Sequence, residues 1–308
     1  MKNIDILCVG EVLIDFIGHQ SEVLINDTRD YHRYLGGSPT NVAMNSSRLG
    51  LQSAMVATVG DDGFGDYIFN RFSEVGVNID NVKIVENIPT SVIFVSRSES
   101  TPDFIPFREA DVLITEDQIS KDVLLKTNIF HTTCFALSKD PAQTTIIKKA
   151  EEAFNLGCKL SIDVNYSGKL WRDKEEAIKI IKAYCKFNPL IKISEDDMFR
   201  LFHETLSHKQ IFEFFHKEGV DIVCLTLGSK GVKLSQKDKK IIEMPAIKIE
   251  KVMDATGAGD AFWSGFLFAY IKKKPIEECL EVALKLAALK LQNVGRLPDN
   301  INILSKLL

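Results

Sequence analysis

From residue 128 onward the chain alternates short, largely apolar strand-like runs with amphipathic helical stretches, and this alternation restricts the fold more than any other feature. Strand-like runs at residues 129–133, 159–164, 190–193 and 221–227 are separated by helical patterns at 141–156, 173–184 and 210–217. Apolar runs of that length alternating with amphipathic helices indicate parallel strands joined by crossover helices, in a sheet covered on both faces. An α/β fold with a mainly parallel sheet flanked by helices is expected.

The first half is less regular. Residues 4–17 read as one long strand or as two joined at Gly10; uninterrupted, the strand would put Glu11 and Asp15 on one face. Residues 39–49 read as a helix opened by Pro39 and stopped by Gly50, followed by a strand at 56–60 and a helix near 66–75. Short β-like pieces at 91–97 and 104–108 are limited by Pro102 and Pro106. The tail from residue 257 to 308 is mostly helical, with breaks at Pro275 and Pro298. With no repeat or linker in 308 residues, a single domain is expected. The segments about 12–34 and 90–108 have no place in the alternation and would form a small flap over one edge.

A net charge of −4 and a pI near 5.9 argue against nucleic-acid binding, which would call for a basic face. The six cysteines form no CxxC pair and are expected to be small buried hydrophobes. The chain leads from Met1 straight into a strand pattern, so no leader is expected, and the longest apolar run, 261–271, is too short to span a bilayer. These readings point to no membrane partner and to the cytoplasm.

The chemistry is concentrated in Asp254-Ala255-Thr256-Gly257-Ala258-Gly259-Asp260-Ala261-Phe262, which runs directly into an apolar helix. Backbone N–H groups at a helix start, unobstructed by side chains, suit phosphate oxygens or developing negative charge. Asp260 beside them can take the proton of an attacking hydroxyl, or can merely cap the helix. A second segment, Gly36-Gly37-Ser38-Pro39-Thr40-Asn41, also opens a helix. It allows close approach to a polyhydroxylated ligand or is a plain turn. Asp163 and Asn165 end a buried strand, where ligands bind in open α/β sheets; they can hold Mg²⁺-bound phosphates or form a turn. Thr226-Leu227-Gly228-Ser229-Lys230-Gly231 can line a nucleotide or make a hairpin. The chain has no GxxxxGK[ST], GxSxG or strand-to-helix GxGxxG. His203 and His208, five apart on one helix, would not share a face, which excludes a zincin site.

These residues resemble the PfkB-type carbohydrate kinases of the ribokinase superfamily over essentially the whole chain, with both glycine segments in the expected order. The resemblance implies a ribokinase-like sheet with a small β lid over the sugar, and transfer of the γ-phosphate of ATP to a sugar hydroxyl. It implies Asp260 as base and the amides of Gly257, Ala258 and Gly259 as anion hole. Asp15, Gly36, Gly37, Asn41 and Arg108 would contact the sugar. Thr226, Gly228 and Gly231 would lie along the nucleotide, with Asn165 near its phosphates. Mg²⁺ is implied as cofactor, K⁺ as a monovalent activator near Asp254 and Thr256, and a homodimer through the lid. Two departures stand out: Ser194-Glu195-Asp196-Asp197 replaces the usual Asn-x-x-Glu, leaving Asp197 to organise Mg²⁺ through water, and Ser167 stands where relatives carry an arginine.

Within the family, Gly10-Glu11-x-x-Ile14-Asp15-Phe16 and Phe107-Arg108-x-Ala110-Asp111 look most like fructokinases. Fructose is the first substrate expected and 2-keto-3-deoxygluconate the alternative, since Arg108 can hold hydroxyls or clamp a carboxylate. A phosphosugar would need cations such as Arg29, Arg33 and Arg97 in the lid. A non-catalytic sugar or nucleotide sensor would have lost the base or filled the anion hole, whereas both are intact.

Overall fold

A computed structural model describes residues 2–97, 103–295, 297 and 298. In chain order the elements of the first half are β1 (Ile4–Val9), β2 (Leu13–Ser21), β3 (Tyr31–Gly36), α1 (Ser38–Arg48), β4 (Ser53–Gly60), α2 (Gly63–Val75), β5 (Asn78–Val85), β6 (Val92–Arg97) and β7 (Phe104–Phe107). They continue with α3 (Lys121–Lys126), β8 (Thr127–Thr133), α4 (Ala142–Asn155), β9 (Lys159–Asp163), α5 (Lys174–Cys185), β10 (Leu190–Ser194), α6 (Glu195–Phe202), α7 (His208–Lys217), β11 (Ile222–Thr226), β12 (Val232–Gln236), β13 (Ile242–Met244), α8 (Ala258–Ile271) and α9 (Ile276–Leu291).

The large sheet has the order β13-β12-β11-β10-β9-β8-β1-β4-β5 and is parallel from β11 to β5. Strand β1 shows why these strands read as unbroken apolar runs. Leu7 and Val9 enter the core on one face, and Ile6 and Cys8 enter the core on the other. Helices α4, α5 and α7 bury their apolar sides in the first core, and α1, α2, α8 and α9 in the second. Nine consecutive residues of α8, Ala261 to Ala269, are buried, so the helix is enclosed on all sides. Within it Trp263 donates from Nε1 to Ser161 Oγ of β9 at 2.9 Å. Burial at about 1.5–3 kcal/mol per large side chain makes α8 a stiff support for its own N-terminus. All six cysteines are free and buried. Among the described residues no helix is long and apolar enough to cross a membrane.

A separate four-stranded sheet, β3-β2-β6-β7, is built from the segments that the alternation left unplaced. Its inner pair, β2 and β6, is parallel, with Asp15 opposite Ile93, and β3 joins β2 with Asp15 opposite Tyr34.

Several expectations are corrected. Of the two readings of residues 4–17, the structure has the two strands parted at Gly10, and they lie in different sheets, so the shared face of Glu11 and Asp15, which needed an uninterrupted strand, does not form. Glu11 is buried in the large core while Asp15 leaves with β2. His203 and His208 are not on one helix: His203 closes α6 in the left-handed region and His208 begins α7. Strand β5 was absent from the sequence reading because its residues are mostly half-exposed at a sheet edge and carry little apolar signal. Residues 299–308 of the expected helical tail lie outside the described residues.

Candidate active site

The second glycine run forms the start of α8. Gly257 caps it at φ 73°, a left-handed conformation that glycine adopts without strain. The first-turn amides of Gly259 and Asp260 have no carbonyl four residues back within the helix and face outward by geometry. The Ala258 amide is already engaged, donating to Ala255 O at 3.2 Å. Of the three amides expected to form the hole, this one is therefore occupied by the turn itself.

Helix α1 delivers the other half. Gly37 caps it at φ 101°, and a Cβ there would lie 2.4 Å from Glu11 O, so the backbone passes where only glycine fits. The turn aims two side chains at Asp260: Ser38 Oγ donates to Oδ1 at 2.7 Å and Asn41 Nδ2 to Oδ2 at 2.8 Å. Residues more than two hundred positions apart thus meet on one carboxylate. Burial pushes Asp260 above the ordinary carboxylate range, while Ser38, Lys192, Asn41 and Lys290 hold it back. A basic carboxylate with two oriented oxygens results.

Asp15 reaches the same place from β2. Burial, reinforced by the charges of Asp260 and Asp254, raises its pKa to about 7. Gly36 is required by it: a Cβ at 36 would lie 2.4 Å from the Asp15 carboxylate. Gly36→Ala is expected to displace Asp15 and, on the expectation that Asp15 holds a sugar hydroxyl, to raise KM for the sugar at least about tenfold, with KM for ATP little changed, in steady-state assays. Unchanged sugar KM would contradict this placement.

Three further polar residues complete the site: Glu11, which the sequence places only in a motif beside Asp15, and Lys192 and Lys290, which no motif marks. Glu11, 1% exposed, accepts from Ser38 N at 3.0 Å and from Thr133 Oγ1 at 2.8 Å, fixing the start of α1 against β8. Burial pushes it up to about 8. Lys192, in the middle of β10, pairs with Asp163 of β9 at 2.9 and 3.0 Å. Its Nζ stands 2.9 Å from where a Cβ on Gly259 would be, so this buried ammonium touches the first turn of α8. Burial would lower Lys192, but the surrounding carboxylates of Asp163, Asp197 and Asp260 keep it protonated. A lysine interrupting an otherwise apolar strand was the available signal. Lys290, the third, holds Asp254 at 3.2 Å.

Asn165 follows β9, and its Oδ1 accepts from Phe135 N at 3.0 Å. Asp197 is 5% exposed and both its oxygens are engaged, Oδ2 by Ser194 Oγ at 2.5 Å and Oδ1 by Arg200 Nη2 at 2.5 Å. It closes a capping box on α6, and as placed offers no open oxygen to a metal ion. Asp163 is likewise committed to Lys192. No group of three or more acidic, histidine or cysteine side chains suited to a metal occurs among the described residues. Thr226 ends β11, in register with Ser194, and Gly228 and Gly231 shape the turn into β12 at φ 57° and 105°. At Gly231 a Cβ would lie 2.1 Å from Met244 O, so the hairpin alone requires that glycine.

Arg108 is held by internal partners. Its guanidinium donates to Asp111 Oδ2 at 2.9 and 2.6 Å and to Ser138 Oγ at 2.5 Å, and lies over the Phe135 ring. At 7% side-chain exposure it braces the loop between the sheets.

Two cavities meet at Asp15. One of about 390 Å³ is lined by Asp15, Arg33, Asn41, Arg71, Gly257 and Lys290. The other, of about 660 Å³, is bounded by Asp15, Phe104, Asn165, Ser167, Asp197 and Arg200.

The model of the pfkB family carbohydrate kinases matches residues 3–301. The chain belongs to that family. Its fold is the ribokinase-like α/β fold of these kinases, and family membership makes it an ATP-dependent carbohydrate phosphotransferase. It is 34% identical over 299 residues to an ATP-dependent 6-phosphofructokinase of Thermoanaerobacterium thermosaccharolyticum, covering 97% of this chain and 91% of the relative. The structure of Halothermothrix orenii fructokinase superposes with a TM-score of 0.82 at 31% identity, covering 92% of this chain and 98% of that one. The Pyrococcus horikoshii sugar kinase PH1459 in complex with ATP gives 0.82 at 28% identity, covering 94% and 93%.

Proposed function

We propose that this kinase phosphorylates a hydroxyl of a neutral ketohexose, fructose, with Asp260 as the base. The observation that carries the proposal is the convergence of Ser38 and Asn41 on Asp260 beside Asp15. In this reading the sugar lies between β2 and α1, with hydroxyls on Asp15, Asn41 and the backbone of Gly36 and Gly37. As its oxygen bonds to the γ-phosphorus, the bond from phosphorus to the leaving oxygen of ADP breaks and the proton passes to Asp260. Amides at the start of α8, with Lys192 beside Gly259, would hold the charge on the transferred phosphoryl group. ATP would extend from there toward the ends of β9, β10 and β11, past Asn165, Thr226 and the Gly228–Gly231 turn. The carboxylates nearby are already paired, so Mg²⁺ would be held chiefly by the nucleotide phosphates. The four-stranded sheet would act as a lid over the sugar. Its outer strand exposes Ile105 at 45% and Phe107 at 54%, a face suited to pairing with a second copy.

A second reading, a phosphorylated ketose, is favoured by Arg33 and Arg71 lining the smaller cavity. Both are engaged, however: Arg71 is paired with Glu74, and the Arg33 guanidinium lies 3.9 Å over the Tyr67 ring. Neutral fructose stays first for that reason. The test is kcat/KM across fructose, fructose 6-phosphate, 2-keto-3-deoxygluconate, ribose and adenosine. Fructose is expected to lead by at least about tenfold. A lead for fructose 6-phosphate would replace the first reading with the second, and silence on all five would favour a sensor.

A further inference from the structure

Asp254 ends in a polar cage directly beneath the start of α8. Its Oδ1 accepts from Thr256 N at 2.9 Å, and its Oδ2 accepts from Gly295 N at 2.9 Å and from Lys290 Nζ at 3.2 Å. The same ammonium donates to the backbone carbonyls of Asn293 at 3.0 Å and Asp254 at 3.5 Å. A carboxylate and two carbonyls around one point are a donor set for a desolvated monovalent cation, and here that point is filled by a side chain. Lys290 is 3% exposed and its partner 8%, so the pair is largely buried. Lys290 also stands in the last turn of α9, where the unpaired carbonyls of a helix end attract positive charge.

The cage is next to the phosphate end of the site. Lys290 Cε lies 3.7 Å from where a Cβ on Gly257 would be, and the lysine lines the same cavity as Asp15 and Asn41. Its charge also acts on Asp260, helping to keep that carboxylate ionised against burial. The expected K⁺ site around Asp254 and Thr256 therefore does not fit this chain. Its carboxylate already accepts from two amides and an ammonium, and that ammonium also holds the carbonyls of Asn293 and Asp254 that an ion would need.

We infer that Lys290 is a tethered cation: its ammonium occupies the place of a free monovalent ion, orders the Asp254–Thr256 turn and the Gly257 cap, and makes the kinase independent of K⁺. This inference rests on the reading of the α8 N-terminus as the phosphate cradle. Lys290 is a positioning residue, since it acts on the reacting atoms through that turn.

The test compares wild-type turnover in about 0.1 M KCl and in tetramethylammonium chloride of equal ionic strength, an ion too large for the cage. Rates within about twofold of each other and an unchanged thermal midpoint are expected, because no binding linkage to K⁺ exists. Lys290→Ala is expected to lose at least about tenfold in kcat in tetramethylammonium and to recover several-fold, with a raised midpoint, when K⁺ is added. Lys290→Met fills the volume and should lose activity without rescue. Stimulation of the wild type by K⁺ of about tenfold or more would overturn the inference while leaving the kinase reading intact. So would full activity of Lys290→Ala without K⁺. Absence of sugar phosphorylation in either salt would overturn the kinase reading and, with it, this inference. If Lys290→Ala does not fold, the wild-type comparison decides alone.

Discussion

Asp260→Asn is expected to lower kcat by about two to four orders of magnitude while ATP and sugar still bind, as titration calorimetry would register. The substitution keeps the shape of the side chain, and with its oxygen turned to Asn41 Nδ2 its amide can donate to Ser38 Oγ, which accepts as well as donates, so the site should keep its form. What is lost is the ability to take a proton. In the wild type the carboxylate must be ionised to act, and burial holds its pKa above the ordinary carboxylate range. Turnover should therefore fall as pH drops, with a midpoint higher than that of an exposed aspartate, and the variant should lack this acidic limb. Near-normal turnover in Asp260→Asn would remove the base from the mechanism.

Lys192→Met is expected to have the second-largest effect, because two functions depend on one ammonium. It is buried between β9 and β10 at 6% exposure, and Asp163 at 2% depends on it. Removing one partner of such a pair costs about 3–5 kcal/mol when the other stays charged. Burial already pushes Asp163 up to about 7, and without the lysine it would rise further. A carboxylate with a raised folded pKa favours the folded state below its unfolded pKa and disfavours it as pH climbs through the folded value. The variant should thus be least destabilised near pH 5 and most above pH 8, as chemical denaturation at several pH values would measure. Independently, loss of charge beside Gly259 should lower kcat by about 10²–10³-fold, the usual cost of one anion-stabilising group. Loss of stability with unchanged kcat would make Lys192 purely structural.

The parts of the fold that were legible in the sequence are those whose burial is two-sided. Strands β8 to β11 carry short, largely apolar runs because both faces are buried, and α1 and α8 announce themselves by glycine caps. Strand β5 was not legible, since an edge strand with one poor face looks like a loop. The ends of the site were legible for a different reason. A Cβ at Gly37 would meet the Glu11 carbonyl, one at Gly36 would meet the Asp15 carboxylate, and Gly257 holds a left-handed φ; all three favour glycine, and glycine is visible in a sequence. Glu11 and Lys290 were not, because nothing in a single sequence says that a carboxylate will be enclosed by Ser38 and Thr133, or that a lysine in an amphipathic helix will turn inward to Asp254. The burial of Arg108 was not legible for a related cause: its partner Asp111 lies three residues on, and only the fold shows that this local ion pair is enclosed.

The central claim is that phosphate passes from ATP to a sugar hydroxyl at Asp260. It is tested most directly by following γ-³²P-labelled ATP with fructose, in wild type and Asp260→Asn side by side. The account predicts that label appears in a sugar phosphate ester at the rate ADP forms, with little inorganic phosphate, and that the variant transfers almost none. Label released only as inorganic phosphate, or transferred equally well by the variant, would contradict it.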